Sequence, residues 1–324
     1  MMSRPSEPLI SVVMPAYNCE DTIGTAITSI LQQTYTNFEF IIIDDGSTDA
    51  TLQVIRTFTD HRIKIIQNKE NKGLIYSLNL GLRKSSGYYI ARMDADDICL
   101  RNRFEKQVKY LDKHKDVLLL GSGRILFGEG INSKRQIYPE KDSDIRAYSY
   151  MANPFVHPSI IFRKTIVDSG LSYDQSYKYL EDYKFIFDVM RLGKVANIPT
   201  ALIKYRISQQ QISSKNQQEQ MARNKKLRFL EANIFLKKYG IQIPQQFDDL
   251  FFKKWCSLNV KHQDKKIISA ITLSLLASHS VKHRILKYIL ASKKINYFSF
   301  ANLIRLLLTT FRMTKYSGLG ILDC

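Results

Sequence analysis

The stretch FEFIIIDDGSTD, residues 38–49, runs from an apolar segment directly into a polar turn. Its first six residues are apolar except for Glu39, which is typical of a strand that is buried on both faces. Gly46 permits a tight turn, and the segment ATLQVIRTF that follows has the composition of a helix. The stretch therefore predicts one strand–turn–helix unit.

The same unit repeats on both sides of this stretch. Before it come a predicted strand, LISVVMP (9–15), and a predicted helix, DTIGTAITSILQQ (21–33). After it come a strand, IKIIQN (63–68), a helix, GLIYSLNLGLRKS (73–85), and a strand, YYIARMDADD (88–97). Alternation of this kind implies parallel strands that are joined by right-handed crossovers and covered by helices on both faces. We expect an α/β fold with a mixed, mostly parallel sheet.

The rest of the chain predicts a change of architecture. Further elements are a helix over 101–116, a strand pair over 117–128, a helix over 179–193 and one or two strands over 195–208. The polar segment QQQISSKNQQEQ (209–220) looks like a linker, and helices are expected after it. We therefore predict an α/β domain over residues 1–214 and a helical C-terminal region over 215–324.

Charge is distributed unevenly between these two parts. The net charge is +18, and residues 215–324 hold 20 of the 48 lysines and arginines but only 6 of the 30 acidic residues. Such a basic region favours an anionic partner, either nucleic acid or an acidic membrane surface. The four cysteines are scattered, so we expect no disulfide framework and a reducing compartment. We also expect no signal peptide and no membrane-spanning helix.

Three polar clusters follow predicted parallel strands: Pro15-Ala16-Tyr17, Asp44-Asp45-Gly46 and Asp94-Ala95-Asp96. Ligands of such sheets bind beyond the carboxyl ends of the strands, so the three clusters are expected to converge on one rim. No GxGxxG motif follows the first strand, which disfavours a dinucleotide dehydrogenase.

The segment IARMDADDICL (90–100) crowds three carboxylates, those of Asp94, Asp96 and Asp97, into four positions. On an extended backbone Asp94 and Asp96 point to the same side, where hard oxygen ligands suit Mg²⁺ or Mn²⁺ with substrate phosphates. A solvated acidic turn is an alternative. A haloacid-dehalogenase-type phosphatase is another, although its motif usually continues with Thr or Val where this chain has Ile98, and it sits on the first strand.

Five motifs together resemble glycosyltransferase family 2. They are SVVMPAYNCEDTIGTAITSILQQTYTNFEFIIIDDGSTDAT, NKGLIYSLNLGL, GYYIARMDADDICLRNRFEKQ, NPFVHPSIIFRK and LEDYKF, in this order. The resemblance covers residues 9–214. It implies the Rossmann-like GT-A fold and a metal-dependent, inverting enzyme of the hexosyltransferase type that uses nucleotide-sugar donors.

The resemblance implies a donor site on the predicted rim. Pro15, Ala16 and Tyr17 are expected to line the nucleoside pocket. Asp45 is expected to accept a hydrogen bond from the uracil ring of a UDP-sugar, as an ionised acceptor facing an N–H donor. The preference for uridine follows from this residue alone.

The resemblance also implies a divalent cation, Mn²⁺ or Mg²⁺, bound mainly by Asp96. Asp94 is expected to reach the ribose or the metal, and Asp97 is left with a local hydrogen bond. The cation would then be the positive charge that the crowded carboxylates require, and it would offset charge on the leaving nucleotide.

The motif LEDYKF implies the acceptor side. Inverting transfer needs a base that takes the proton of the acceptor hydroxyl, and the resemblance assigns this role to Asp182, with Glu181 binding the acceptor. The alternative is an exposed helix start, where acids are common because of the helix dipole. The resemblance places His157 near the acceptor or the metal. The alternative is that His157 is a structural residue of a loop. Arg206 falls in a segment that usually reads Tyr-Arg-x-His, but Ser208 occupies the histidine position.

We therefore expect a glycosyltransferase that adds a sugar to a lipid-linked glycan acceptor in bacterial lipopolysaccharide or capsule synthesis. It is expected in the cytoplasm, peripheral on the inner face of the cytoplasmic membrane. The tail, with Phe298, Phe300, Leu303, Leu306 and Leu307, predicts either packed helices or an interfacial helix pair on an anionic membrane surface.

The alternative function is a degenerate transferase that binds membrane or nucleic acid. The presence of Asp45, Asp94, Asp96 and Asp182 argues against it. No nucleic-acid partner is expected, because no recognised binding motif is present.

Overall fold

The computed structural model describes residues 7–208 and 217–243, together with Asp264, Ile267 and Ile271. The chain divides into two compact units, one of residues 1–140 and 155–217, the other of residues 141–154 and 218–324. The boundary predicted after residue 214 lies outside the described residues and stays a prediction.

A single mixed sheet organises the described part of the first unit. Its strands are β1 (Ile10–Ala16), β2 (Phe38–Asp44), β3 (Ile63–Gln67), β4 (Tyr89–Arg92), β5 (Ile98–Cys99), β6 (Val117–Phe127), β7 (Lys134–Gln136), β8 (Ile161–Arg163) and β9 (Lys194–Arg206). Their order is β3-β2-β1-β4-β8-β6-β9-β5, with β7 paired to β6. Six of these nine strands, β1 to β4 with β6 and β9, run in one direction. The predicted mostly parallel sheet is confirmed.

Helices cover both faces of the parallel half of the sheet. The described helices are α1 (Glu20–Leu31), α2 (Thr51–Arg56), α3 (Leu74–Lys84), α4 (Arg103–Lys113), α5 (Asp142–Tyr148), α6 (Thr165–Asp168), α7 (Glu181–Leu192) and α8 (Gln217–Leu236). α1 buries Ile23 and Ile27 against the face that carries Val12. α3 packs on the other face, so closely that a Cβ on Gly81 would lie 2.3 Å from Val13 Cγ1. All seven residues of β2 are buried between the two layers, as predicted for a parallel strand.

The segment predicted as a strand pair over 117–128 is instead the one long strand β6, so the prediction of a pair was wrong. Gly121 lies inside this strand, where it is needed for close packing. A Cβ there would lie 2.3 Å from Asn197 Oδ1 and 2.4 Å from Phe155 Cδ1. β6 bends through register shifts against β9 rather than through a turn.

The parallel strands carry the predicted polar clusters to one edge. β2, β1 and β4 are neighbours, and they end at Asp44, Ala16 and Arg92 respectively. The three clusters therefore follow the carboxyl ends of adjacent strands, which is where α/β sheets bind ligands.

The described part of the second unit is helical. It contains α5 and all of α8 except Gln217, which belongs to the first unit. Within it the ring of Tyr150 lies 6.0 Å from that of Phe235 on α8. No helix of the described residues is both long and apolar enough to cross a bilayer. The apolar tail residues at 298–307, on which the interfacial prediction depends, lie outside the described residues.

Candidate active site

The carboxylates of Asp94, Asp96 and Asp97 meet in a turn directly after β4. One oxygen from each lies within 4.8 Å of the others. The extended backbone predicted for this segment would have sent Asp97 to the side opposite Asp96. The turn brings all three acids together, and it makes Asp97 a member of the cluster.

Asp97 shows whether a cation fits this cluster. Its Oδ1 accepts a hydrogen bond from the main chain of Arg206 (2.8 Å), whereas its Oδ2 is buried without a hydrogen-bond partner among the described residues. Burial, followed by the charges of Asp94 and Asp96, raises the pKa of Asp97 well above its usual range. An unsatisfied buried carboxylate oxygen beside two further carboxylates is suited to a hard divalent cation, so these residues fit Mn²⁺ or Mg²⁺.

Arg206 on β9 holds the acidic turn in place. Its Nε donates to the main-chain oxygen of Asp96 (2.8 Å), while its guanidinium lies 4.7 Å from the ring centre of Phe127. The hydrogen bond of Asp97 is therefore made to a distant strand, and the expectation of a local bond was wrong. Arg206 remains next to the cluster although Ser208 replaces the expected histidine.

Arg92 provides part of the positive charge that the crowded carboxylates require. The sequence analysis expected all of that charge to come from a divalent cation. Its side chain is buried, and Nη2 forms an ion pair with Asp94 Oδ1. The two residues are two positions apart at the end of a strand, so they lie on the same side of the backbone. The spacing of Arg92 and Asp94 is visible in the sequence, but only the structure shows that the two side chains form an ion pair.

The nucleoside side of the rim is formed where β1 and β2 end. Pro15 and Ala16 are the last residues of β1, and the Tyr17 side chain that follows is 45% exposed. The main-chain N–H of Asp45 donates to the oxygen of Ala16 (2.8 Å). The structure thus brings all four predicted donor residues together, with the ring of Tyr17 open to solvent.

Asp45 itself is buried and holds the loop that leads into α3. Its carboxylate accepts hydrogen bonds from Asn68 Nδ2 (2.6 Å) and from the main-chain N–H groups of Lys72 (3.0 Å) and Gly73 (2.8 Å). Both oxygens are engaged in this way. Recognition of the base by Asp45 stays a prediction, and the structure adds a role for Asp45 in shaping the loop.

Glu181 and Asp182 form the first turn of α7, so the dipole alternative for acids at a helix start also fits their position. Glu181 is 8% exposed, and burial together with the charge of Asp182 raises its pKa to about 7. Asp182 is only partly buried, and its Oδ1 accepts from the main chain of Tyr183 (2.7 Å). Asp182 is therefore the more accessible of the two carboxylates.

His157 lies outside the acidic cluster. Its Nε2 is 2.9 Å from the hydroxyl of Tyr173. Burial, and then the charge of Arg92, lowers the pKa of His157 well below its usual range, so its ring is neutral. A metal-ligand role for His157 stays a prediction, and its observed partner is Tyr173.

Tyr173, which the sequence analysis missed, is buried, and its hydroxyl lies 2.9 Å from Nε2 of His157. Burial has the largest effect on its hydroxyl and raises its pKa. The charges of Arg92 and Asp94 from the rim act on the same hydroxyl as those of Glu181 and Asp182 from α7. Asp94 of the acidic turn and the two predicted acceptor-side acids therefore act on the same buried hydroxyl.

Comparison with known proteins shows which family the chain belongs to. Residues 11–171 match the family model described as glycosyl transferase family 2. A glycosyltransferase of Haemophilus influenzae is 39% identical over 285 residues, which span 84% of this chain and 86% of the relative. The chain belongs to glycosyltransferase family 2.

A second relative of this family 2 glycosyltransferase has an informative name. It is the UDP-Glc:alpha-D-GlcNAc-diphosphoundecaprenol beta-1,3-glucosyltransferase WfgD of Escherichia coli, 32% identical over 209 residues, which span 64% of this chain and 80% of WfgD. Among solved structures, S. aureus TarS 1-349 in complex with UDP aligns with a TM-score of 0.58 at 19% identity, covering 88% of this chain and 75% of that one. The structural likeness confirms the expected GT-A fold.

Proposed function

We propose that this family 2 glycosyltransferase is an inverting, metal-dependent enzyme that transfers a sugar from a UDP-sugar to a lipid-linked glycan in the synthesis of a bacterial surface polysaccharide. The observation that carries the proposal is the cluster of three carboxylates directly after β4, together with the acids at the start of α7, whose charges act on the same buried Tyr173 hydroxyl as that of Asp94. WfgD supports the donor and acceptor classes, since its name specifies UDP-Glc and a diphosphoundecaprenol-linked sugar.

The acceptor half of the reaction is assigned to α7. Asp182 accepts the proton of the acceptor hydroxyl while that oxygen forms a bond to the anomeric carbon of the donor sugar. The bond from the anomeric carbon to the diphosphate oxygen breaks, and its electron pair leaves with the nucleotide. Attack from the face opposite the leaving group inverts the anomeric centre.

The donor half is assigned to the rim of the sheet. Asp96 and Asp97 would hold the cation, with Arg206 fixing the turn that carries them. A divalent cation bound there would offset the charge that develops on the leaving diphosphate. Tyr17, exposed at the end of β1, offers its ring to the base of the nucleotide.

A nucleotide panel tests the donor assignment. With Mn²⁺ present, UDP is expected to bind more tightly than GDP or ADP, as measured by calorimetry. Asp45→Asn replaces one acceptor oxygen by a donor and should weaken UDP binding by roughly 10- to 100-fold, the usual value of a hydrogen bond to a charged group. Equal affinities for the three nucleotides would contradict a UDP-sugar donor.

Asp60→Asn is the matched control for Asp45→Asn. Asp60 also holds a loop by accepting a main-chain hydrogen bond, from Arg62 (2.9 Å), but it precedes β3 and so lies at the opposite edge of the sheet. Its replacement should affect thermal stability without changing UDP affinity. If both variants weaken UDP binding equally, Asp45 acts only through the fold.

The location at an anionic membrane surface rests on the basic C-terminal region. The described part of that region, α8, exposes Phe229 and Leu230 beside Lys225 and Lys226. Since each basic residue near an anionic surface contributes about 1 kcal/mol, we expect the protein to float with anionic liposomes at low salt and much less with neutral ones. Protein that stays unbound at low salt would contradict this location.

A further inference from the structure

Asn79 lies in the middle of α3, and its side chain is buried. Asparagine is unfavourable inside a helix, because its amide competes for main-chain hydrogen bonds. Here both ends of the amide bind one residue that is 94 positions away. Nδ2 donates to the main-chain oxygen of Tyr173 (2.8 Å), and Oδ1 accepts from the main-chain N–H of Tyr173 (2.9 Å). Asn79 therefore fixes the main chain of Tyr173 to α3.

The start of α3 is in turn held by the nucleoside side of the rim. The main-chain N–H of Gly73, directly before the helix, donates to Asp45 Oδ2 (2.8 Å). The Nδ2 group of Asn68 donates both to Asp45 Oδ1 (2.6 Å) and to the hydroxyl oxygen of Ser77 (3.2 Å). Ser77 is buried in the same helix, shortly before Asn79. The helix that carries Asn79 is therefore fixed to the residue that is predicted to recognise the base.

Tyr173 extends this connection to α7. Its ring stacks on that of Phe185, with 4.5 Å between the ring centres and 19° between the ring planes. The hydroxyl at the far end of the ring lies 2.9 Å from His157 Nε2, so the ring is held at both ends. Phe185 is buried and lies about one helical turn after Glu181, the first residue of α7. The stacking therefore anchors the first turn of the helix that carries the acceptor-side acids.

We propose that Asn79 is a positioning residue, which fixes the start of α7, and with it Asp182, relative to the nucleotide side of the site. The inference rests on the proposed function for the role of Asp182. The connection runs through α3 on one side, and through the stacked rings of Tyr173 and Phe185 on the other. Two hydrogen bonds away from the reacting atoms can matter in this way, because a displacement of about 1 Å at the reacting groups can lower a rate about 10²-fold.

Kinetics and calorimetry on Asn79→Ala test the inference. The substitution removes both hydrogen bonds to Tyr173, whereas Asp45 and Asn68 still hold the start of α3. UDP affinity in the presence of Mn²⁺ should therefore remain that of the wild type. The transfer rate at saturating donor and acceptor should fall about 10- to 100-fold, since Asp182 is no longer held in place. A residue that only stabilised the fold would lower the melting temperature without this split between rate and affinity.

Hydrogen exchange of the main chain gives a second readout, which does not depend on catalysis. In Asn79→Ala the exchange around Tyr173 should become faster, because its N–H loses its acceptor. Exchange in residues 181–185 should become faster as well, because the first turn of α7 loses its anchor. Only the second change reports the proposed connection.

Gln33→Ala is the matched control. Gln33 is also a buried amide that binds a distant main chain at both ends: Oε1 accepts from the N–H of Phe104 (3.2 Å), and Nε2 donates to the oxygen of Leu100 (3.0 Å). It lies between α1 and β2, at the edge of the sheet where β2 begins. Its replacement should lower the melting temperature and leave both the transfer rate and the exchange of α7 unchanged.

The inference is overturned if folded Asn79→Ala transfers sugar at the wild-type rate, if its rate and UDP affinity fall together, or if the exchange of residues 181–185 does not change. If Asn79→Ala does not fold, Phe185→Leu decides, because it removes the ring stacking and keeps both hydrogen bonds of Asn79. A wild-type rate in that variant overturns the inference. The proposed function fails separately. Wild-type protein that transfers no sugar from a UDP-sugar would contradict the donor, whereas hydrogen exchange would still decide whether Asn79 fixes α7.

Discussion

Asp96→Ala is expected to abolish sugar transfer, with a loss of about 10³-fold or more, because the proposed cation, which would offset charge on the leaving diphosphate, would lose its main ligand. The wild-type enzyme in excess EDTA should lose activity to the same extent. The measurement is nucleotide release from a UDP-sugar with a lipid-linked acceptor. Thermal stability should not fall, since removal of one of three neighbouring carboxylates relieves like-charge repulsion.

Asp116→Ala is the control for this variant. Asp116 is an exposed aspartate that pairs with Lys194 at 2.7 Å on the surface, and it should tolerate replacement with little change in rate or stability. Transfer that persists in Asp96→Ala, or in the wild type with excess EDTA, would contradict the metal assignment. A loss of the folded state in Asp96→Ala would instead make the acidic turn a structural element.

Asp182→Asn is expected to lower the transfer rate by roughly 10²- to 10⁴-fold, the usual contribution of a general base. The substitution keeps the shape of the side chain and removes its basicity. UDP affinity should barely change, because the role proposed for Asp182 concerns only the acceptor. Single-turnover rates at saturating donor, together with calorimetry for UDP, check both statements. If UDP binding is lost, Asp182 belongs to the nucleotide site and the base lies elsewhere.

Glu181→Gln is the matched comparison, because Glu181 precedes Asp182 in the same helical turn. Its pKa is raised from 4.5 to about 7, so folding favours the protonated form. The stability that this preference contributes is present below pH 4.5 and is lost as the pH rises towards 7. Glu181→Gln should therefore be more stable than the wild type at pH 8, by on the order of 3 kcal/mol, and similar to it at pH 4.

The two variants together identify the base. Asp182→Asn should lose rate without gaining stability at pH 8, whereas Glu181→Gln should gain stability there and lose acceptor affinity. Thermal melts at pH 4 and pH 8 with acceptor titrations provide the comparison. If transfer survives in Asp182→Asn and is lost in Glu181→Gln at saturating acceptor, Glu181 is the base.

Local sequence patterns were sufficient for the parallel half of the sheet. Each of β1, β2 and β4 is a short apolar run, and α1 and α3 show helical spacing, so the alternation of elements could be read directly. Because parallel strands place their carboxyl ends at one edge, the convergence of Ala16 and Asp44 with the acids after β4 followed as well. The antiparallel half was harder. The segment 117–128 was predicted as a strand pair but is one strand, in which Gly121 is needed because Asn197 and Phe155, both distant in sequence, pack against it.

The sequence by itself determined which segments carry the acids of the candidate site, since the motifs that hold them are contiguous and lie at the ends of predicted elements. Only the tertiary structure decided how they are paired. The turn that adds Asp97 to the cluster depends on a hydrogen bond from Arg206 on β9. The effect of the Arg92 charge on Glu181 depends on how α7 packs against β6 and β9. Burial and charge pairing between residues that are about 90 or more positions apart depend on the order of strands in the sheet. The spacing of apolar residues in the sequence does not reveal the order of the strands, because this spacing depends only on the 3.6-residue turn of a helix and the two-residue repeat of a strand.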